Sequence, residues 1–233
     1  MSLLDFLFPK YSLLEKEGEW ITASELSRLV SRPRLFQEAE LKSIGMPSLD
    51  RVLAVSTYSD TPLLRKAIHS FKYGRLSATG QILQNVLAES FLRLMTVRAD
   101  ACICPVPLHF TRAFWRGFNQ AELLSKGLRK KTGLPLLHLL RRVRPTGHQA
   151  RRSREERLGA MRGAFRVRAR ARAGARVWNI FLDPNPSPNP SPLPYCVYLV
   201  DDLFTTGATM EECAKVLKEA GVKRVEGVVL AHG

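Results

Sequence analysis

The sequence predicts an α/β protein with a central, mostly parallel sheet and helices on both faces. Three observations carry this reading. Short apolar runs of strand length recur along the chain. Between them lie stretches whose apolar residues return at helical spacing. Strand and helix patterns alternate, and such alternation builds a parallel sheet covered on its two sides.

Taken in order, residues 1–50 are mixed and read as a divergent N-terminal segment, with Thr22-Ala23-Ser24-Glu25 as a capping-box pattern that suits a helix start. The α/β domain spans 51–233. Arg51 to Tyr58 reads as its first strand. Thr61-Pro62 then offers an N-cap and a first-turn proline for a helix that stops near Gly74. Ile82, Leu83, Val86, Leu87 and Phe91 mark a second helix over about Ala78 to Met95. Ala101 to Pro107 is a buried strand ended by prolines. Asn119 to Lys131 is a helix with Gly133 as its stop. A short strand near Leu139 precedes an arginine-rich block, in which Arg154 to Phe165 has a helical pattern. Asp183 to Pro194 is proline-rich and reads as an exposed extended insert. The closing unit is a strand over Val197 to Val200, a loop, a helix over about 210–220, and a strand from Arg224 to Ala231.

The chain has 233 residues, 45% of them hydrophobic and 24% charged, which is ordinary for a soluble globular protein. No apolar run is long enough for a membrane-spanning helix, and the N-terminal Leu3 to Phe8 stretch is too short for a secretory core. A cytoplasmic protein without membrane insertion is expected. The net charge of +15 is concentrated: Arg141 to Arg176 holds thirteen arginines, no lysine and two glutamates. Such a block attracts phosphates, on a metabolite or on nucleic acid, or forms a solvated surface loop. The four cysteines, Cys102, Cys104, Cys196 and Cys213, lack zinc-knuckle spacing and read as buried apolar residues.

The chemistry concentrates at Val197 to Met210, where four apolar residues give way to Asp201-Asp202 and then to Thr205-Thr206-Gly207-Ala208-Thr209. A helix N-terminus carries free N–H groups and partial positive charge, so it suits a phosphate. Thr209 is placed to cap that helix, with Glu212 completing a capping box. Gly207 lets backbone come close to an anion. Asp201 and Asp202 are acceptors, fitted to sugar hydroxyls or a bridging cation. Phosphate on one side and vicinal hydroxyls on the other describe a ribose 5-phosphate. The chain lacks the Gly-Lys pair of a Walker loop and a G-x-G-x-x-G fingerprint.

The stretch "VYLVDDLFTTGAT" resembles the signature of type I phosphoribosyltransferases, which bind 5-phosphoribosyl-1-pyrophosphate (PRPP). Three further stretches, "PVPLHFTRAFWRGFNQAELLSKGL", "AIHSFKYGR" and "GHQARRSREER" with its following "GAF", resemble the ComF family of phosphoribosyltransferase-like proteins. Two departures stand out. Family members usually carry four zinc-binding cysteines near the N-terminus, whereas no cysteine precedes Cys102, so no zinc site of that kind is expected. Ala160 also stands where the family often has asparagine.

The resemblance implies a type I phosphoribosyltransferase fold with a flexible hood at about 141–176. It places Asp201 and Asp202 on the ribose and Thr205, Thr206, Gly207, Ala208 and Thr209 on the 5-phosphate. It places the pyrophosphate at Val106, Pro107 and the residues just beyond them. Arg112 and Arg116 are the matching candidates for pyrophosphate contact and transition-state stabilisation, with Lys72, His148 and Gln149 as weaker ones. The implied reaction displaces pyrophosphate from PRPP by a nitrogen acceptor, with Mg²⁺ held mainly through the pyrophosphate and no protein nucleophile. The family's association with natural competence gives a second expectation: handling of single-stranded DNA by the Arg141–Arg176 block, with competence-machinery proteins as partners.

Overall fold

The computed structural model describes residues 33–59, 62–73, 77–108, 118–144, 154–168 and 193–233. Its centre is a five-stranded sheet in the order β1-β2-β7-β6-β3. The strands are β1 (Arg34–Gln37), β2 (Arg51–Thr57), β3 (Ala101–Pro105), β6 (Cys196–Phe204) and β7 (Arg224–His232). All pair in parallel except β1, which runs antiparallel along the edge of β2. The α/β class and mostly parallel sheet are therefore as expected. A separate two-stranded antiparallel ribbon joins β4 (Leu140–Arg142) to β5 (Phe165–Val167), with a short helix, α5 (Arg154–Met161), between them.

Side chains alternate across the parallel strands and build two cores. Val52, Ala54, Cys102, Cys104, Val197, Leu199, Val225 and Val229 face one side. There they meet Met210, Cys213, Ala214 and Leu217 of helix α6 (Ala208–Glu219), together with Met161, Ala164 and Phe165 beside the ribbon. Leu53, Val55, Ile103, Tyr198, Val200, Val228 and Leu230 face the other side. Helices α2 (Pro62–Tyr73), α3 (Ser77–Leu94) and α4 (Gln120–Thr132) cover that side with Leu64, Ile68, Leu83, Leu87, Phe91, Leu124 and Leu128. All four cysteines are buried free thiols, and burial raises the pKa of each, that of Cys104 and Cys196 to about 12.

The segment before residue 50 gave no clear sequence pattern, yet residues 34–49 belong to this core. β1 adds the edge strand, a six-residue helix α1 (Glu38–Ser43) follows, and Leu41, Met46 and Leu49 are fully buried. Thr22 to Glu25 lies outside the described residues. At the other end of the proline-rich insert, Leu193 is buried in the core rather than exposed, so the insert's last residues dock onto the domain.

At the amino end of the sheet, Glu226 of β7 is fully buried and accepts hydrogen bonds from Arg51 of β2, at 3.0 Å from Nη2, and from Arg224. Two guanidinium groups around one buried carboxylate offset its desolvation. Lys218 of α6 meets Asp50 at 2.9 Å on the same side, and Asp50 also accepts the amide of Val225. The charged groups thus gather away from the edge where the acidic pair stands.

Gly227 permits the close seating of α6. A Cβ at this position would lie 2.4 Å from Met210 Sδ and 3.0 Å from a Val52 methyl. We expect Gly227→Ala to cost about 1–3 kcal/mol, the usual range for overpacking a core, read as a lower urea midpoint at unchanged slope.

Candidate functional site

β6 and β3 end at different heights, and this stagger opens a crevice. The pairing of β3 with β6 stops at Pro105 opposite Val200, and Val106 N donates the last hydrogen bond to Val200 O at 2.9 Å. β6 continues to Phe204, where among the described residues only β7 pairs with it. Asp201 and Asp202 thus lie within the strand, not after it, and among the described residues are the first with no partner strand toward β3. Both are half-buried. Asp201 Oδ1 accepts the Asp202 amide at 2.9 Å. The Asp201 charge also bears on the Cys213 thiol of α6, whose pKa burial raises first and Arg142 opposes. Ligands of open parallel sheets bind at such carboxyl edges.

The loop that follows turns sharply into α6. Thr205 is exposed, Thr206 and Thr209 are half-buried, and Ala208 is buried. The helix begins at Ala208 with Gly207 as its N-cap and no side-chain cap. Thr209 therefore sits inside the first turn, and the expected Thr209–Glu212 capping box does not form. Glu212 turns instead to the ribbon, where its Oε1 accepts the Gly163 amide at 2.6 Å. Amides at the start of the helix are left without helical acceptors, the arrangement that suits an anion.

Gly207 is also required by its conformation and its packing. Its φ is 73°, a left-handed conformation that glycine adopts without strain. A Cβ there would lie 2.1 Å from Met46 Cε and 3.0 Å from Phe204 Cζ. The back of the loop is packed on the N-terminal segment, so its open side is the one facing the crevice. Below it, Phe36 meets Phe204 at 5.6 Å and His232 at 5.2 Å between ring centroids, and His232 Nε2 lies 3.1 Å from Thr57 Oγ1.

The second wall comes from β3. Val106 is buried and Pro107 half-buried. Asn119 clamps this turn: its Nδ2 donates to Val106 O at 3.0 Å, and its Oδ1 accepts the Ala121 amide at 3.1 Å as the N-cap of α4. This role was missed from sequence, although an asparagine directly before an amphipathic run is an N-cap signal. Of the remaining candidates, Arg112, Arg116, His148 and Gln149 lie outside the described residues. Lys72 falls in the last turn of α2, and its side chain also lies outside them. The structure thus brings together Val106, Pro107, Asp201, Asp202 and the 205–209 loop.

The ribbon stands beside this crevice, packed on α6. Arg141 and Arg166 are exposed and directly opposite in register. Arg142 turns inward, 5.3 Å over the Phe165 ring, with Nη2 3.8 Å from Met161 Sδ. Arg144 donates to Arg162 O, and Arg168 Nε to Leu140 O at 3.0 Å. Among the described residues no helix is long and apolar enough to cross a membrane.

The fold defines the class: an α/β protein with a mostly parallel sheet, whose strand β6 carries an acidic pair and then a threonine loop at the sheet's carboxyl edge. No family model matches the chain. It is similar to Competence protein F of Haemophilus influenzae, 29% identical over 185 residues that cover 77% of this chain and 72% of the relative. DNA utilization protein YhgH of Salmonella typhimurium is 29% identical over 184 residues, covering 77% and 71%. Competence protein ComFC of Streptococcus pneumoniae is 32% identical over 121 residues, covering 52% and 43%. These similarities support reading the chain as a ComF family protein.

Asn119 makes two bonds that substitutions separate. We expect Asn119→Ala to cost about 1 kcal/mol through the lost cap. Asn119→Asp keeps the acceptor for Ala121 but not the donor to Val106, so thermal unfolding should show a smaller loss, with faster amide exchange confined to Val106 and Leu108.

Proposed function

We propose that the protein binds PRPP, or a related ribose 5-phosphate, with Mg²⁺, and transfers the phosphoribosyl group to a nitrogen acceptor. The observation that carries this reading is the placement of Asp201 and Asp202 where β6 outruns β3, followed directly by the threonine loop at the start of α6. The loop amides and the Thr205, Thr206 and Thr209 hydroxyls are donors for the 5-phosphate. The carboxylates are acceptors for the sugar hydroxyls. Val106 and Pro107, across the crevice, line the pyrophosphate side, and Arg112 and Arg116 come after them in the chain. Mg²⁺ comes with the pyrophosphate and neutralises its charge, and the hard carboxylate oxygens of Asp201 and Asp202 are compatible with such an ion. The chain's own contribution is to hold sugar and leaving group and to stabilise charge.

Titration calorimetry with PRPP and Mg²⁺ should give saturable heat. The Asp201→Asn/Asp202→Asn double variant should bind at least about tenfold more weakly, as expected when hydrogen bonds to charged acceptors are lost. Absence of heat with the unaltered protein would remove the reading.

A second reading rests on the ribbon. The similar proteins are named for competence and DNA utilization. Like charges directly opposite on a ribbon are unfavourable, so Arg141 and Arg166 suit an anionic partner between them, such as the backbone of single-stranded DNA taken up in natural competence. In this reading the basic block handles DNA and the nucleotide-type site is weakly catalytic or silent. Affinity for an unstructured oligonucleotide should fall steeply with salt, and Arg141→Ala/Arg166→Ala should reduce the salt slope by about 1–2. Salt-independent binding would exclude this role.

A further inference from the structure

The β4–α5–β5 unit meets the central domain along α6, through a largely apolar seam that also holds the inward-turned Arg142 and the carboxylate of Glu212. Met161, Ala164 and Phe165 pack into the same core as Met210, Cys213 and Ala214. Glu212 sits in this seam at 9% exposure, and its Oε1 takes the Gly163 amide at 2.6 Å. Apolar contacts allow sliding, whereas a buried hydrogen bond to a carboxylate fixes one register. Gly163 belongs to the turn between α5 and β5, so the bond holds the ribbon close to its strand. The ribbon is itself closed by Val143 N to Ala164 O and Arg168 N to Leu139 O, both 2.8 Å. A displacement at Gly163 is therefore carried to Arg141 and Arg166. The seam also adjoins the 205–209 loop, since Phe204, Ala208 and Met210 pack in the same core as Met161, Ala164 and Phe165.

We propose that Glu212 is a positioning residue, which through Gly163 sets the distance between the arginine ribbon and the Asp201–Thr209 crevice. Its consequence for ligand affinity rests on the PRPP reading above, while its consequence for the ribbon does not.

Three variants of the full chain test this: Glu212→Gln keeps an acceptor at the same reach, Glu212→Ala has none, and Glu212→Asp keeps the charge but falls short by one methylene. Amide hydrogen exchange over 161–167 should quicken at least about tenfold in the Ala and Asp variants and stay within about twofold of the unaltered protein in the Gln variant. PRPP–Mg²⁺ affinity should follow the same order, falling at least about fivefold in Ala and Asp and being retained in Gln. Equal exchange in all four proteins would overturn the proposal. So would a Gln variant that behaves like Ala while Asp behaves like the unaltered chain, because charge rather than reach would then be operative. Quickened exchange with unchanged affinity would also overturn it, by uncoupling ribbon from crevice. If Glu212→Ala does not fold, the comparison of Gln with Asp decides. An unaltered protein that gives no heat with PRPP removes the phosphoribosyl reading alone, and the exchange order then decides the role of Glu212.

Discussion

The seating of α6 on the sheet is the contact on which the rest of the molecule depends. Gly227 leaves room for Met210, and Cys213, Ala214 and Leu217 continue down the same face. Burying a side chain of this size contributes about 1.5–3 kcal/mol, so the row fixes the helix firmly. From that position α6 organises three other parts. Its first turn ends the 205–209 loop. Glu211 accepts the Ser48 amide at 3.1 and 3.2 Å, which ties down the segment carrying Met46. Glu212 holds the ribbon. Burial raises the Glu211 pKa, and the hydrogen bonds from the Ser48 side chain and amide oppose that rise.

The crevice is built from stretches far apart in the chain, and its shape derives from strand lengths. β6 and β7 are nine-residue strands, whereas β3 has five. The difference is what leaves Asp201 and Asp202 beyond the last β3 pairing among the described residues. Prolines set where β3 stops, because Pro105 and Pro107 have no amide to continue a ladder. Asn119 then holds the released turn against the start of α4, so the short strand gives a defined wall rather than a loose end.

Much of this was legible in the sequence. Most strands and helices from Arg51 onward announce themselves by apolar runs and helical spacing, and the acidic and threonine residues are contiguous; the run read as helical from Arg154 to Phe165 instead ends its helix at Met161, and Phe165 opens β5 by pairing with β4. What escaped depended on partners distant in the chain. β1 has only four residues and is a strand because β2 pairs with it. β6 extends through its aspartates because β7 is there to accept them, although carboxylates are poor strand formers. Thr209 and Glu212 have capping-box spacing, but Gly207 starts the helix two residues earlier, and the partner of Glu212 lies 49 residues away. Leu193 looks like part of a proline-rich tether until the core around it is known. Gly207 is legible as a turn residue, whereas its contact with Met46 is not.

The sheet's two borders differ in a way that bears on how the molecule behaves in a crowded solution. Along β3, the amide of Ile103 is taken by Pro135 O and its carbonyl by the Leu137 amide, both at 2.8 Å, so the segment after α4 occupies that border. The opposite border is β1, only four residues long, with Arg34 engaged by Glu40 and stacked 4.3 Å over Phe36. Strands this short and charged make poor templates for another chain. Nine-residue parallel strands at the centre are strongly cohesive, and their confinement between such borders directs that cohesion inward. Self-association through strand addition is thereby disfavoured in a chain whose surface charge is already set to attract anions.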